Sequence, residues 1–223
     1  MQPYQELLTE LKSCADDNYK VFHCKLLKND NINVLGVRVP NLRKIAKKWA
    51  GRIEEVITFP DEFYEVTFLK LTIVSALKYE EFIKYVDGCV ALIDNWATCD
   101  CFAPKCILKH KEDFLPFIYK YFDVGQEFYQ RFALTTLLHF YVESKYLNII
   151  FEMSRRALTE HYYVHMAVAW LIAEVLVKYF DDGIEFLKNS TLDKKTHNKA
   201  IQKATESYRL TDKQKNILKG MKK

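Results

Sequence analysis

The sequence is poor in the residues that punctuate a β protein. Six Gly and five Pro among 223 residues are too few turn formers for a sandwich or barrel. No run alternates apolar and polar side chains with period two, which argues against half-buried strands. Long apolar runs are also missing. The longest, Ala167 to Val177, is interrupted by Glu174 and is too short to span a bilayer. Met1-Gln2-Pro3-Tyr4-Gln5-Glu6 lacks the basic and apolar regions of a secretion signal. A cytoplasmic location and no membrane partner are therefore expected. No Gly-rich phosphate loop occurs, which argues against phosphoryl transfer. The six Cys, at positions 14, 24, 89, 99, 101 and 106, form no disulfide framework. Cys99, Cys101, Cys106 and His110 do not have the usual zinc-knuckle spacing, and Pro104 interrupts them. His161 and His165 are four apart but have no third ligand in view. Neither a metal nor a cofactor is expected.

Helical periodicity fills the chain instead. With 49% hydrophobic and 28% charged residues it should fold, and its length can bury one core or a stack of repeated units. Pro3 opens a helix to about Cys14. A second runs from Tyr19 to Lys28, with Val21, Phe22, Leu26 and Leu27 as its apolar side. The loop 29–33 follows. Val39 is expected to be extended before Pro40, which starts a helix whose stripe is Leu42, Ile45, Ala46 and Trp49. Further helices are expected from Pro60-Asp61, from Tyr79, from Asn95, over 111–122, 126–142 and 146–158, over the nearly all-apolar 162–180, and over three shorter runs to Lys219. Trp96, Arg131 and Met166 recur at intervals of 35. Helix pairs repeating at 35 to 45 residues predict an all-α solenoid of the HEAT or TPR sort, an α-α superhelix with an inner groove, as a single domain over 1–223.

The net charge of +4 hides an uneven distribution. Residues 38–52 carry Arg38, Arg43, Lys44, Lys47, Lys48 and Arg52 with no acid. Residues 188–223 carry eleven Lys or Arg against three acids, while residues 53–187 hold 12 basic and 21 acidic side chains. Two basic ends around an acidic middle suit a polyanion; the alternative is that these side chains only solvate helix faces. In the C-terminal run Lys194, Lys195, His197, Asn198, Lys199 and Lys203 are candidate phosphate contacts, or the polar face of a capping repeat.

At the centre lies Asp94-Asn95-Trp96-Ala97-Thr98-Cys99-Asp100. Trp96 and Asp100 are four apart and share one helix face. A ring face beside a carboxylate suits a cationic guest; the plain alternative is a core Trp with a capping Asp. Arg131, placed before a core run, calls for a carboxylate or phosphate partner, and Asp100 calls for a distant basic one. Trp170 sits in the apolar run 167–173, where a core Trp and a site Trp are equally in keeping with the sequence.

Four segments in order, Leu35-Gly36-Val37-Arg38-Val39-Pro40-Asn41-Leu42-Arg43, Asn95-Trp96-Ala97-Thr98-Cys99-Asp100, Tyr129-Gln130-Arg131-Phe132 and Ala169-Trp170, carry a resemblance. The chain resembles the AlkD-type DNA alkylation repair proteins, alkylpurine DNA glycosylases built from HEAT-like repeats, over most of its length. The resemblance implies a C-shaped stack of helix pairs whose basic concave face holds duplex DNA, here through Arg38, Arg43, Lys44, Lys47 and Lys48 with the C-terminal set. It implies a monomer working beside nucleoid DNA. It further implies that Trp96, Asp100, Arg131 and Trp170 line the lesion site, and that the damaged base need not be flipped into a pocket. A purine alkylated at N3 or N7 is cationic and departs as a neutral base. The carboxylate would then stabilise charge on the deoxyribose and orient water. The alternatives are a helical module that grips damaged or branched DNA without excision, and a scaffold for proteins.

Overall fold

The computed structural model describes residues 2–27, 29 and 31–223. Lys28, expected to end the second helix, and Asp30 of the loop after it lie outside the described residues. The helices are α1 (Pro3–Ser13), α2 (Asp17–Leu27), α3 (Val39–Trp49), α4 (Ile53–Val56), α5 (Tyr64–Ser75), α6 (Tyr79–Ala91), α7 (Trp96–Cys101), α8 (Lys111–Asp123), α9 (Glu127–Phe140), α10 (Leu147–Arg156), α11 (Tyr162–Lys178), α12 (Phe180–Asn189), α13 (Lys194–Thr205) and α14 (Asp212–Lys219). The described residues contain no strand, only one isolated bridge between Ala15 and Val37. The fold is all-α, as expected of a helical repeat protein. No described helix is long and apolar enough to cross a membrane. The chain divides into two compact units, residues 1–109 and 110–223.

In the first unit α5 is the central element. From Tyr64 to Leu71 every side chain is buried, which is why this run lacks a polar stripe. Leu7, Leu8 and Leu11 of α1 and Leu42, Ile45, Ala46 and Trp49 of α3 join the same core. Glu10 ties the two helices together, accepting from Trp49 Nε1 at 2.9 Å and from Lys48 Nζ at 3.0 Å. Arg52 lies over the Trp49 ring, 4.2 Å from its centre.

The approach to α3 is held from below. Glu65 is fully buried and takes the backbone N–H groups of Leu35 (2.9 Å), Gly36 (2.8 Å) and Val37 (3.1 Å). Three donors on one carboxylate satisfy a charge that would otherwise be costly to bury. Gly36 has φ +97°, and a Cβ there would meet the carbonyl oxygen of Asp16 at 2.6 Å. Both facts require glycine.

Several local expectations are corrected. Val39 is helical and Arg38 is the extended N-cap, which puts Pro40 second in the helix, where its missing N–H costs nothing. No helix starts at Pro60-Asp61. Lys70 draws this segment away by donating to Phe59 O (2.6 Å) and Asp61 Oδ2 (2.9 Å), so α5 begins only at Tyr64. The short α4 has no counterpart among the sequence expectations. On α2, Leu27 is buried as expected, but Val21, Phe22 and Leu26 face solvent and His23 turns inward in their place. His23 packs between the rings of Tyr19 and Tyr64, with centroids 5.4 and 4.7 Å away.

In the second unit α11 packs against α9, α12 and α13, and α9 also packs against α8. Gln130 is buried and links three segments, donating to Phe122 O (3.2 Å) and accepting from Leu158 N (2.9 Å).

Gly36→Ala should cost about 2 kcal/mol or more, from a clash added to left-handed strain. Gly51→Ala, where nothing lies within 4 Å of the new Cβ, should stay within about 0.5 kcal/mol of the parent. Urea unfolding of both variants reads the difference. Equal midpoints would show that the approach segment is not under this constraint.

Candidate nucleic-acid interface

Asn95 starts α7. Its side chain, 1% exposed, accepts from Thr98 N at 3.0 Å and donates to Asp94 Oδ1 at 2.7 Å. This cap fixes a short helix with Trp96 in its first position and Asp100 one turn on, both half-buried. The Trp96 ring rests on the core of the unit, and its Nε1 donates to Leu26 O at 3.0 Å. Cys99 is buried, whereas Cys101 faces outward. Although Cys101 as a residue is exposed, its thiol is crowded by neighbouring atoms, and this desolvation pushes it up; Arg43 opposes that rise and Asp100 adds to it. Both charges therefore act on the last turn of α7.

The structure divides the basic run of residues 38–52. Arg38 pairs with Asp16 at 2.8 Å, Lys48 with Glu10 at 3.0 Å, and Arg52 with Glu6 at 3.2 Å and Glu55 at 2.7 Å. Arg43, Lys44 and Lys47 are exposed and make no ion pair among the described residues. At i, i+1 and i+4 they share one side of α3. The sequence marked all six alike, because the acids that neutralise the others lie on α1, on α4 and just before α2.

In the second unit the structure brings Arg131 and Trp170 together. Trp170 is 36% exposed, although every neighbour from Ala167 to Ala173 is buried. It is not a core residue. The Arg131 guanidinium lies 5.7 Å from its ring centre and 5.6 Å from that of Tyr163. Arg131 is 3% exposed and donates from Nη1 to Tyr163 O at 2.7 Å. Glu127 Oε1 in turn takes Tyr163 N at 2.9 Å, fixing that carbonyl's residue in place. Tyr163 and Glu127 were not among the residues marked from sequence. Glu127 stands one helical turn before Arg131, which is a signal of a sort, but nothing in the sequence points to Tyr163. Trp170 also borders a shallow groove of about 240 Å³ with Leu138, Ala173, Val177, Lys203 and Arg209.

The C-terminal set is mixed. Lys194 and Lys195 are exposed, and Lys195 stands 5.9 Å from the Tyr162 ring. Lys199 donates to Gln202 (3.0 Å) and Lys203 pairs with Glu206 (3.0 Å). His197 is 2% exposed, with Nε2 at 2.9 Å from Met221 O. Asn198 donates to Lys223 O and accepts from Lys223 N, both at 3.0 Å. These last two residues fasten the chain end to α13. His197 Nε2 and the Asn198 amide are engaged there, while His197 Nδ1 is buried without a hydrogen-bond partner among the described residues. His165 is buried with Nδ1 at 2.8 Å from Thr196 Oγ1, and that hydroxyl donates to Asp193 at 2.6 Å. No group of three or more His, Cys, Asp or Glu side chains able to hold a metal occurs among the described residues.

An unpaired basic side on α3, a capped Trp–Asp turn and a caged arginine are the features that this helical chain offers a ligand. Comparison with known families makes the class specific: residues 7–208 match the DNA alkylation repair enzymes, and the chain belongs to that family. Its role is in DNA repair. A comparison with curated proteins found no match.

Burial holds the imidazoles of His23, His165 and His197 below their ordinary value of 6.5. The folded chain keeps them neutral, whereas the unfolded chain takes up protons near that value. Their contribution to stability is complete above about pH 6.5 and is lost as the pH falls below it. Urea midpoints should therefore drop between about pH 7 and pH 5, and less steeply in His23→Phe. A flat profile in the parent would contradict these buried neutral rings.

Proposed function

We propose that this repair protein is a DNA glycosylase that hydrolyses the N-glycosidic bond of purines made cationic by alkylation at N3 or N7. The observation that supports it most is the α7 turn: Trp96 and Asp100 held on one face by the Asn95 cap, with Arg43 of α3 within electrostatic reach of the same turn. A cationic purine needs no general acid. The electron pair of the breaking C1′–N bond passes to the ring and cancels its charge. Positive charge builds on the deoxyribose, where the Asp100 carboxylate and the Trp96 face stabilise it. Water adds to C1′ and releases its proton, with Asp100 orienting the water and accepting the proton or passing it to solvent. Arg43, Lys44 and Lys47 grip phosphates along α3. Within the second unit Trp170 offers a flat face to the ligand, and the buried Arg131 guanidinium positions that ring from behind. Lys194, Lys195, Lys199 and Lys203 add phosphate contacts from α13. His197 and Asn198 serve indirectly by fixing the chain end. No metal or cofactor takes part in this scheme.

The reading that keeps the same DNA contacts but omits excision draws on the same free cations. One variant separates the two. Asp100→Asn keeps shape and removes charge, so base release from methylated duplex should fall by about 10²- to 10³-fold, while affinity for the duplex stays within about threefold of the parent. Release at the parental rate would remove Asp100 from the chemistry. A parent that binds tightly and never frees a base would favour the non-excising module.

A further inference from the structure

Helix α2 exposes the side chains an amphipathic helix ordinarily hides. Val21 is 57% exposed, Phe22 56% and Leu26 41%. Tyr19, Phe22 and Leu26, at i, i+3 and i+7, form one ridge along the helix. Both ends of the ridge are joined to the residues described above. At one end the Tyr19 ring lies 6.2 Å from that of Phe22 and 4.8 Å below the Arg38 guanidinium. At the other, the carbonyl of Leu26 receives the indole N–H of Trp96. Lys20 and Lys25 are exposed beside the ridge and make no ion pair among the described residues.

We infer that the α2 ridge is an apolar wedge for duplex DNA, with Phe22 and Leu26 leaning from the minor groove against a base step while Lys25 holds an adjacent phosphate. Three considerations favour this occupant. The ridge is one side chain wide, so it falls well short of the roughly 800 Å² per partner that a stable protein interface needs. It is bordered by free cations, which suits a polyanion. It also runs into Trp96, the ring assigned to the lesion. Apolar side chains inserted at a base step unstack it and bend the duplex, which would loosen the nucleotide that Asp100 must reach. The inference rests on the DNA-binding part of the proposed function and does not require excision.

The test compares the parent with Phe22→Ser/Leu26→Ser, Phe22→Leu and Lys44→Gln. Because Phe22 and Leu26 are exposed, their replacement leaves the core intact. Binding to a methylated duplex is measured across salt concentrations, with the end-to-end distance of the bound DNA read by energy transfer, base release by chromatography and oligomeric state by sedimentation. The double variant should lose about tenfold in affinity with an unchanged slope of log K against log salt, since no phosphate contact is removed. Its bound DNA should be straighter than the parent's. Phe22→Leu should keep most of both properties, and Lys44→Gln should lower the slope by about one. A double variant that binds and bends DNA like the parent overturns the wedge. So does a parental dimer that it converts to monomer, which would make the ridge an interface between copies. A parent that binds and excises while the double variant behaves identically sinks only the wedge; a parent that binds no DNA sinks the proposed function with it.

Discussion

A single buried carboxylate sets the geometry of the first unit. Glu65 lies on a helix with no solvent-facing side in its first two turns, and it is tolerable there only because three consecutive backbone N–H groups converge on it. Hydrogen bonds to a charged group contribute about 1.5–3 kcal/mol each. The dependence runs both ways, because residues 35–37 have no strand or helix of their own to satisfy those donors. The anchored segment delivers Arg38 to the N-cap of α3 and aims the side of that helix carrying Arg43, Lys44 and Lys47. Gly36 is the cost of the arrangement, since the chain passes within contact of Asp16 with a left-handed turn.

Charge in this protein is defined by what remains after neutralisation. Around α3 the acids of α1, α4 and the turn before α2 take up Arg38, Lys48 and Arg52 in structural pairs. Surface pairs of this kind contribute little to stability, but they leave three cations on one side. Within the second unit Arg131 is treated differently. Its guanidinium is sequestered against a carbonyl and two rings, an arrangement suited to a planar, weakly hydrated cation and not to lysine. A partly open indole on that cage gives Trp170 a reason to face outward from a run, Ala167 to Ala173, that is otherwise buried.

Much of this was legible in the residues. Helical period, scarce turn formers and the Trp96-to-Asp100 spacing led to the all-α class and to the shared face of those two residues. The family resemblance carried by the four ordered segments is matched over residues 7–208. The misreadings have local physical causes. The start of α5 slipped because Lys70, eleven residues from Phe59, captures its carbonyl, and no short-range pattern encodes that contact. The apolar side of α2 was read as core because periodicity shows which residues share a face, not which way the face turns; the stack of His23 between two tyrosines decided it. His197 and Asn198 also hold the returning chain end, a contact that residue type alone does not encode.

The chemistry proposed for this protein requires little machinery: a fixed negative charge and flat rings close to a sugar that becomes positive as its base leaves. The most direct test is a single-turnover incubation of the protein with a duplex holding one N7-methylguanine, counting free methylated base and abasic sites together. The account predicts that the two rise in step, one for one, until they equal the amount of duplex bound. Persistent salt-sensitive binding with neither product appearing would contradict it.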